Sequence, residues 1–229
     1  MWHFIVLISS LSRWRKQVYL TNVDLIVCDM AGTTVEENGI VYEAIRNALV
    51  KNGILVTNAE FREWYGADKE EVISCLVRRN TCPSHTDLVL RKTMQDFDET
   101  IENAYFGDES IVSAIDDRLC GWLRDVQHAG IKVGLDTGYP STIRNRLVQK
   151  LSLKVDALVS SSDVSRGRPA PFMIFSCMEK VGVVDVRRVA KVGGTARDMQ
   201  MGRNAGCGLV VGVLSGAGSY DELVEAGAD

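Results

Sequence analysis

The sequence predicts an α/β fold in which a parallel sheet carries helices on both faces. Short apolar runs that predict strands alternate with helical patterns, and the loops between them are short. This alternation indicates βαβ units, because parallel strands need a crossover helix between them. In addition, residues 38–112 hold helical patterns and no convincing strand pattern. We therefore predict a doubly wound, Rossmann-like parallel sheet with a small α-helical cap inserted after the first strand.

Composition limits the size, the partners and the compartment of the protein. With 229 residues, of which 46% are hydrophobic, the chain can fill one well-packed domain and a modest insertion. The 30 acidic and 26 basic residues give a formal net charge of -4, so no nucleic-acid partner is expected. Six cysteines without paired spacing predict reduced thiols in a cytoplasmic protein and argue against a zinc site.

Residues 1–22 form an N-terminal extension that has two interpretations. Its apolar run at 2–8 is too short to span a bilayer, and its basic residues follow that run, which argues against a secretory signal. The absence of acidic residues before Asp24 is typical of an organelle-targeting segment. The alternative is an extension of the first strand. No other stretch is long and apolar enough to span a membrane, so no membrane partner is expected.

The first predicted strand starts at Val23 and ends at Asp29, which is followed by a Gly-Thr-Thr turn. Open α/β sheets bind ligands at the carboxyl edge of their strands. At that edge Asp29 has three interpretations: a metal ligand, a nucleophile, or the cap of the next helix. The predicted domain limits are 1–22 for the extension, 23–37 and 113–229 for the core, and 38–112 for the cap.

Four helical patterns fill the insertion, and four further strands complete the core. The insertion patterns lie at 41–49, 57–64, 70–79 and 88–105. Strands are predicted at 131–136, 155–159, 189–192 and 209–213. Helices are predicted between them at 116–129, 140–151, 171–181 and 196–205.

Three side chains, two of them in loops after predicted strands and one in the insertion, are chemically informative, and each has a structural alternative. Thr137 either holds phosphoryl oxygens at a helix start or only caps that helix. Arg168, between glycine and proline, either points into a cleft or belongs to a basic surface turn. Lys69, in the insertion, is either a reactive amine or a solvated helical lysine.

The wording and order of these segments resemble the haloacid dehalogenase superfamily, and more narrowly its phosphonatase branch. Residues 29–34 are similar to motif I in the form Asp-x-Ala-Gly-Thr-Thr, and residues 167–171 are similar to the motif III segment Gly-[Arg/Lys]-Pro-x-Pro. Residues 192–206 match motif IV at every fixed position except one. Residues 65–69, Tyr-Gly-Ala-Asp-Lys, resemble the lysine-bearing motif of the phosphonatase cap.

The resemblance implies a Mg²⁺-dependent hydrolase of a small phosphorylated or phosphonate metabolite. It implies that Asp29 attacks phosphorus and forms an aspartyl-phosphate, while Arg168 and Thr137 stabilise the phosphoryl group. It also implies that Lys69 forms a Schiff base with a substrate aldehyde. A homodimer that pairs through the helical cap would be compatible with this family.

The remaining implied roles concern the metal and the loops. The resemblance implies that Mg²⁺ is held by Asp29, by the backbone carbonyl of Ala31 and by Asp198. Thr33 and Gly138 would take part in substrate binding, Thr33 by supporting the motif I loop and Gly138 through its backbone amide.

Four positions depart from the family pattern. Gly194 replaces a metal-binding aspartate, and Ala31 replaces the aspartate that protonates an alkoxide leaving group. Val72 stands where phosphonatases place a histidine, and Tyr65 where they place a methionine. Two alternatives therefore stay open: a catalytically weakened relative that binds a phosphorylated ligand or partner, and an ordinary phosphate monoester phosphatase. A dinucleotide-binding oxidoreductase is disfavoured, because no G-x-G-x-x-G follows the first strand.

Overall fold

A computed structural model describes residues 22–229 of the chain. The interpretations of the N-terminal extension therefore lie, except for its last residue, outside the described residues. Within the described residues no helix has the length and apolar character needed to cross a membrane.

The elements occur in a regular order along the chain. They are β1 (Leu25–Asp29), β2 (Val35–Glu36), α1 (Ile40–Lys51), α2 (Asn58–Arg62), α3 (Lys69–Asn80), α4 (Pro83–Phe106), β3 (Ser113–Ala114), α5 (Leu119–His128), β4 (Lys132–Thr137), α6 (Ser141–Lys150), β5 (Ala157–Ser160), α7 (Phe172–Val181), β6 (Val189–Gly193), α8 (Ala196–Ala205), β7 (Leu209–Gly212) and α9 (Tyr220–Glu225). We refer to helices α1–α4 together with the loops that join them as the insertion, and to the remainder as the core.

The core is built on a five-stranded sheet in the order β5-β4-β1-β6-β7, and each neighbouring pair is parallel. The predicted fold class is confirmed. Strand β1 lies at the centre, and its register places Asp29 beside Asp136 at the end of β4. The carboxyl ends of β1, β4, β5 and β6 consequently meet at one edge.

Helices cover both faces of the sheet, which explains why its strands are apolar without alternation. Successive side chains of a strand point to opposite faces. Ile26 and Cys28 belong to the core cluster that includes residues of α5, α6 and the insertion. Leu25 and Val27 belong to the second cluster, which includes residues of α7, α8 and α9. Both sets of β1 side chains are therefore buried.

The insertion is helical, as its sequence patterns indicate, but its last helix begins earlier than predicted. Helix α4 starts at Pro83 instead of residue 88, with Cys82 as N-cap. Proline is favoured in the first helical turn because it has no N–H group to leave unpaired. The polar residues of this first turn hide the apolar spacing on which the prediction relied.

Two short strands were not predicted. Strands β2 and β3 pair antiparallel, Val35 with Ala114 and Glu36 with Ser113, at the two points where the chain passes between core and insertion. Two residues are too few for an alternating pattern to appear in the sequence. The exact limits of the core and the cap stay a prediction.

Candidate active site

A cavity of about 340 Å³ opens at the carboxyl edge of the sheet, between the core loops and the insertion. Residues from β1, from the β4 and β6 loops and from helices α1 and α3 line it. Six predicted site residues are among them: Asp29, Ala31, Lys69, Thr137, Gly138 and Arg168. The other two, Thr33 and Asp198, are buried next to it and do not form its lining.

Asp29 ends β1 and presents its carboxylate to the cavity. Its Oδ1 atom lies 2.7 Å from Nη2 of Arg168, while its backbone oxygen accepts a 3.0 Å hydrogen bond from Oγ1 of Thr34. The next helix begins only at Ile40, so the helix-cap interpretation is wrong. Burial raises the pKa of Asp29 to about 6, and the Arg168 guanidinium opposes that rise. Arg168 thus favours the anionic form that a nucleophile needs.

Arg168 is buried, with 4% of its surface exposed, so it does not belong to a basic surface turn. Its Nη2 donates to the backbone oxygen of Asp136 at 3.1 Å, and its Nε lies 3.2 Å from Oδ1 of Asp198. The guanidinium therefore joins Asp29 at the end of β1, Asp136 near the end of β4 and Asp198 in the first turn of α8, the helix that follows β6. A cation fixed in this way is suited to stabilise charge on a phosphoryl group.

A buried lysine that sequence reasoning missed completes this cluster. Lys191 lies within β6, and its Nζ is 2.6 Å from Oδ1 of Asp136 and 3.0 Å from Oδ1 of Asp198. Burial opposes its charge, yet the two carboxylates raise the pKa of Lys191 above its ordinary value. The available signal was a lysine inside an otherwise apolar strand, which requires a charged partner when both faces are covered.

The cluster holds three carboxylates and two cations, all buried. Burial works against the charge of Asp198, but Arg168 and Lys191 together lower its pKa. Counting the aspartates, the arginine and the lysine as ionised leaves one formal negative charge. This excess is compatible with one further cation at the cavity.

Asp198 has a structural role besides its charge. With Thr195 it forms a capping box at the start of α8: Oδ2 accepts a 2.6 Å hydrogen bond from the Thr195 hydroxyl, and the Asp198 N–H donates to that hydroxyl oxygen at 3.3 Å. Gly193 leaves space for the carboxylate, since a Cβ atom at that position would collide with it. Asp198 therefore acts on the cavity from behind Arg168.

Thr137 and Gly138, at the end of β4, form a further part of the cavity lining. The Thr137 Oγ1 accepts a 3.2 Å hydrogen bond from the N–H of Tyr139, which leaves the hydroxyl proton free to donate into the cavity. Helix α6 has Pro140 at its N-cap and no side-chain cap, so neither Thr137 nor Ser141 caps it. Phosphoryl binding is the interpretation that remains for Thr137.

Lys69 begins α3 and is buried, with 4% of its surface exposed, so it is not a solvated helical lysine. Its Nζ donates to the backbone oxygen of Ala67 at 3.1 Å and lies 5.0 Å and 5.8 Å from the ring centroids of Tyr42 and Tyr139. Burial lowers the pKa of Lys69 to about 8, and Asp29 opposes that change. A sizeable share of the amine is therefore neutral and nucleophilic near physiological pH.

The motif I loop is held by a different threonine from the one predicted. Thr33 is fully buried, and its Oγ1 has no hydrogen-bond partner among the described residues. Thr34, by contrast, bonds the end of β1 through its hydroxyl. The hydroxyl that bonds the end of β1 is therefore that of Thr34, and the Thr33 hydroxyl makes no such bond.

At Gly194 the backbone of a neighbouring loop fills the space of the missing carboxylate. A Cβ atom at Gly194 would lie 2.6 Å from Cα of Gly216, and the N–H of Gly218 donates to the Gly194 oxygen at 2.8 Å. We define the loop 213–218, which follows β7, as the glycine loop. An aspartate at residue 194 has no room while the glycine loop lies against it.

The oxygen donors that remain fit a magnesium ion held by few protein ligands. One carboxylate oxygen from each of Asp29, Asp136 and Asp198 lies within 4.8 Å of the others. Asp29 and Ala31 line the cavity itself. Magnesium commonly takes one or two carboxylates and completes its shell with waters and substrate phosphate oxygens. The donor set is thus adequate in kind and reduced in number.

Comparisons with known proteins agree with the fold and with the family that the motifs resemble. The family described as haloacid dehalogenase-like hydrolase matches residues 23–206. Phosphonoacetaldehyde hydrolase of Bacillus cereus is 31% identical over 217 residues, which cover 89% of this chain and 81% of that protein. Among solved structures, a phosphonoacetaldehyde hydrolase-like protein from Oleispira antarctica superposes with a TM-score of 0.73 at 23% identity, covering 90% of this chain and 86% of the other. A predicted phosphoglycolate phosphatase from Haemophilus somnus gives a TM-score of 0.69 at 14% identity, with 90% and 92% covered.

Proposed function

The chain belongs to the haloacid dehalogenase-like hydrolase family, and from this premise we propose that it hydrolyses a small phosphonate that carries an aldehyde group. The chain is a phosphohydrolase related to phosphonoacetaldehyde hydrolase. In the proposed reaction Asp29 is the nucleophile, Arg168 and Thr137 bind the phosphoryl group, and Lys69 binds the aldehyde as an imine.

One observation carries the proposal: a single cavity is lined by both Asp29 and Lys69. A phosphate monoester phosphatase needs the aspartate, the arginine and the threonine, but it has no use for a buried lysine of lowered pKa. Perturbed titratable groups in a cleft are candidates for chemistry. Lys69 lines this cavity with its Nζ bonded to the Ala67 oxygen and not to the acidic cluster, which leaves the amine available to an aldehyde two bonds from phosphorus.

The proposed phosphoryl step conserves atoms and electrons. An oxygen of the Asp29 carboxylate forms a bond to phosphorus, and the carbon–phosphorus bond breaks. Its electron pair moves into the iminium on Lys69, which becomes a neutral enamine. Water then cleaves the aspartyl-phosphate, and the enamine takes a proton on carbon before it is hydrolysed from the lysine.

The residue that replaces the usual acid of motif I is consistent with this leaving group. An alkoxide must be protonated as it departs, and Ala31 has no proton to give. An enamine leaves without that proton, because the positive iminium nitrogen accepts the electron pair. Ala31 therefore removes a function that carbon–phosphorus cleavage does not require.

Asp29 and the backbone carbonyl of Ala31 are the groups that would hold Mg²⁺, with Asp198 behind them. When bound, the ion supplies positive charge that screens the phosphoryl oxygens from the attacking carboxylate. Arg168 already directs a guanidinium to the same position, 2.7 Å from Asp29. The chain's own cation thus shares the task of charge stabilisation.

A second candidate function is supported by Gly194 alone. The glycine loop leaves no space for a second cavity-facing carboxylate, which favours a weakened relative that binds a phosphorylated ligand and turns it over slowly. Slow hydrolysis of simple phosphate esters is the corresponding activity.

The proposal is tested with phosphonoacetaldehyde and borohydride. We expect the wild type to release inorganic phosphate and to gain one reduced adduct at Lys69, detected by mass spectrometry of peptides. Asp29→Asn should form the adduct and release no phosphate, whereas Lys69→Gln should do neither. Lys132→Gln, which removes a half-exposed lysine, is the matched control and should behave as wild type.

Three outcomes would contradict the proposal. Phosphate release without an adduct would remove the role of Lys69. Hydrolysis of p-nitrophenyl phosphate, but not of phosphonoacetaldehyde, would identify an ordinary phosphate monoester phosphatase. Hydrolysis of p-nitrophenyl phosphate at only a slow rate, without reaction of phosphonoacetaldehyde, would leave the weakened relative.

A further inference from the structure

The end of the cavity around Lys69 contains a buried hydrogen-bond chain that the proposed reaction has not yet used. The hydroxyls of Tyr139 and Tyr105 lie 2.8 Å apart, and the Tyr105 hydroxyl donates to Oε2 of Glu37 at 3.1 Å. All three side chains are buried, and both Tyr139 and Glu37 line the cavity. The chain therefore runs from the cavity surface, through the interior, to a carboxylate.

The direction of these hydrogen bonds is fixed by the number of protons. A phenol has one proton to donate. Since Tyr105 gives its proton to Glu37, the hydroxyl of Tyr139 must donate to Tyr105. The oxygen of Tyr139 then keeps a lone pair with which to accept a proton from the cavity. Burial raises the pKa of both phenols well above the ordinary value, so each keeps its proton and the direction is stable.

Glu37 is held as an acceptor at the end of this chain. Its Oε1 accepts from the N–H of Gly39 at 3.2 Å, and its Oε2 accepts from the N–H of Val41 at 2.8 Å. These amides belong to the start of α1, where a carboxylate is favoured by the free N–H groups and the helix dipole. The carboxylate is fixed in position, and its distance from Tyr105 does not depend on a mobile side chain.

Lys69 needs a proton acceptor and has none in direct contact. No carboxylate of the described residues lies within ion-pair distance of its Nζ, and Val72 occupies the position one turn along α3. Burial and, to a smaller extent, the positive charge of Arg168 lower the pKa of Lys69 to about 8. The negative charges of Asp29, Glu37 and Asp68 raise it and so limit the decrease. Much of the amine is therefore protonated at pH 7 and must lose a proton before it attacks a carbonyl carbon.

The other carboxylates near Lys69 are engaged elsewhere. Asp29 is bound by Arg168 and is the proposed nucleophile. Asp68 accepts from the Glu71 N–H through one oxygen and from the Ser161 hydroxyl through the other. Glu36 bonds the N–H of Asn38 outside the tyrosine chain. Glu37 is the cavity carboxylate that is joined to Tyr139.

We propose that Glu37 exchanges a proton with the Lys69 site through the hydroxyls of Tyr105 and Tyr139. In the first step the Lys69 ammonium loses a proton, a shift along the two hydroxyls delivers one to Glu37, and the neutral amine adds to the aldehyde to give a carbinolamine. In the second step the proton returns along the same chain to the carbinolamine hydroxyl. That hydroxyl leaves as water, and the protonated imine remains. Ammonium and aldehyde thus become iminium and water with no net gain or loss of protons.

This inference rests on the proposed function, because it concerns the imine that Lys69 forms. Tyr139 lines the cavity, and its ring centroid lies 5.8 Å from Nζ of Lys69, whereas Tyr105 and Glu37 are positioning residues that act through it. Tyr105 does not line the cavity, so its hydroxyl can be removed without a change to the cavity surface.

The test is the pH dependence of imine trapping by Tyr105→Phe. Phosphonoacetaldehyde and cyanoborohydride are mixed with the protein from pH 6 to 9, and the rate of adduct formation at Lys69 is measured. Wild-type trapping should rise with a midpoint near pH 8, where the amine becomes neutral. We expect Tyr105→Phe to lower the rate at pH 7 on the order of 100-fold, the size of a general acid–base contribution. The deficit should narrow at pH 9, where most Lys69 side chains have already lost their proton to the solvent.

Two controls separate this role from a structural one. Tyr220→Phe removes the hydroxyl of an exposed tyrosine and should trap as wild type. Hydrolysis of p-nitrophenyl phosphate, which needs Asp29 and not Lys69, should be unchanged in Tyr105→Phe. Glu37→Gln keeps one oxygen that can accept from the amides at the start of α1 and removes the carboxylate base. It should show the same lower trapping rate at pH 7. If Tyr105→Phe does not fold, this variant serves as the test of the proton chain.

The outcomes distinguish this inference from the proposed function. A wild type that traps no aldehyde at any pH overturns the proposed function, and the inference with it. A wild type that traps, together with Tyr105→Phe and Glu37→Gln variants that trap equally well at pH 7, overturns the inference alone. An equal deficit at pH 7 and pH 9 also overturns it, since a general disturbance of the cavity has no reason to depend on the charge of Lys69.

Discussion

Single residues decide which charges reach the cavity. Arg168 connects Asp29 to the buried pair of Asp136 and Asp198, while Lys191 neutralises that pair from within the sheet. In a buried cluster, removing one partner costs far more than the pair contributes, because a charge is left unpaired. We therefore expect that removing either cation, or any one of the three aspartates, destabilises the protein, because it leaves a buried charge without its partner.

The first prediction concerns Gly194, the position where relatives of the resembled family carry a metal-binding aspartate. Gly194→Asp should lower stability by about 1–3 kcal/mol, the usual cost of overpacking, because its Cβ atom meets the backbone at Gly216. We expect no gain in phosphatase activity. Thermal unfolding and p-nitrophenyl phosphate hydrolysis with added Mg²⁺ are the measurements.

The matched control is Gly121→Ala, since an added Cβ atom there meets nothing within 4 Å and lies in helix α5. Alanine should stabilise that helix slightly. If Gly194→Asp unfolds at the wild-type temperature and gains activity, the prediction is wrong. The glycine loop would then move aside at little cost and leave room for the aspartate.

Residue identity at strand ends was predictable, but the partners of those residues were not. Asp29, Thr137 and Arg168 follow apolar runs, and the order of strands brings them to one edge. Lys191 and Asp136 are 55 positions apart, and Tyr105 and Glu37 are 68 apart. The periodicity of apolar residues predicts local structure, and it cannot predict contacts between residues so far apart in the sequence. The contact between Lys191 and Asp136 depends on the order of the strands in the sheet, and that between Tyr105 and Glu37 on the packing of the insertion on the core.

At the scale of elements, helix starts position the functional side chains. Helix α3 begins at Lys69, directly after its N-cap, Asp68. The Asp68 carboxylate accepts from the Glu71 N–H at 2.8 Å and also from the Ser161 hydroxyl, which belongs to the core loop after β5. One carboxylate thus sets both the start of the helix and its attachment to the core.

The second prediction tests this double role with Asp68→Ala. Loss of the cap should lower stability by about 1 kcal/mol, and release of Ser161 should slow the trapping of an aldehyde at Lys69. Asp68→Asn, which keeps both the cap and an acceptor, should restore most of both quantities. Chemical denaturation and adduct formation are measured together.

Ser219→Ala is the corresponding cap deletion at α9, a core helix whose N-cap does not line the cavity. Ser219 accepts from the Glu222 N–H at 3.3 Å and makes a capping box. It should lose a similar amount of stability and keep wild-type trapping. If both alanine variants trap equally well, the link between Asp68 and Ser161 has no part in positioning Lys69.

Element positions were predicted better than element ends. The pattern for α8 gave 196–205, as observed, because Thr195 and Asp198 supply a capping box and Gly206 ends the helix in the left-handed conformation. Strands β4 and β5 were displaced by one or two residues, since apolar runs do not mark where pairing stops. Helix α9 was not predicted, although Ser219 and Glu222 carry the same cap signal.

At the scale of the whole molecule, insertion and core meet through backbone surfaces that tolerate no extra atoms. A Cβ atom at Gly138 would lie 2.6 Å from the Ala67 oxygen, and one at Gly66 would collide with the Thr195 side chain. Arg197 adds a 3.1 Å hydrogen bond to the Glu63 oxygen. These contacts hold Lys69 over the same cavity as Asp29, so the proposed two-ended chemistry depends on them.

The third prediction is that Gly66→Ala keeps the fold and loses turnover. The new methyl group meets Thr195 across the boundary, so the insertion must stand away from the core. Displacement of a catalytic group by about 1 Å can cost on the order of 100-fold in rate. Phosphate release from phosphonoacetaldehyde should fall to this extent.

Gly53→Ala is the control, because Gly53 has nearly the same backbone angle, φ +80° against +81°, and an open surrounding. Both variants bear the same strain of a left-handed alanine. Equal turnover in the two would mean that strain, not the boundary contact, determines the effect.

The antiparallel pairing of β2 with β3 has a mechanical consequence. The chain leaves the core at Val35 and re-enters it at Ala114, and hydrogen bonds tie these two crossings side by side. Two unpaired crossing segments would allow the insertion to rotate or to slide relative to the core. The hydrogen-bonded pair of β2 and β3 restricts this movement to bending about one axis. We therefore expect the Lys69 amine and the Asp29 carboxylate to approach each other by a hinge movement. A substrate bound at one of these groups would then be aligned with the other.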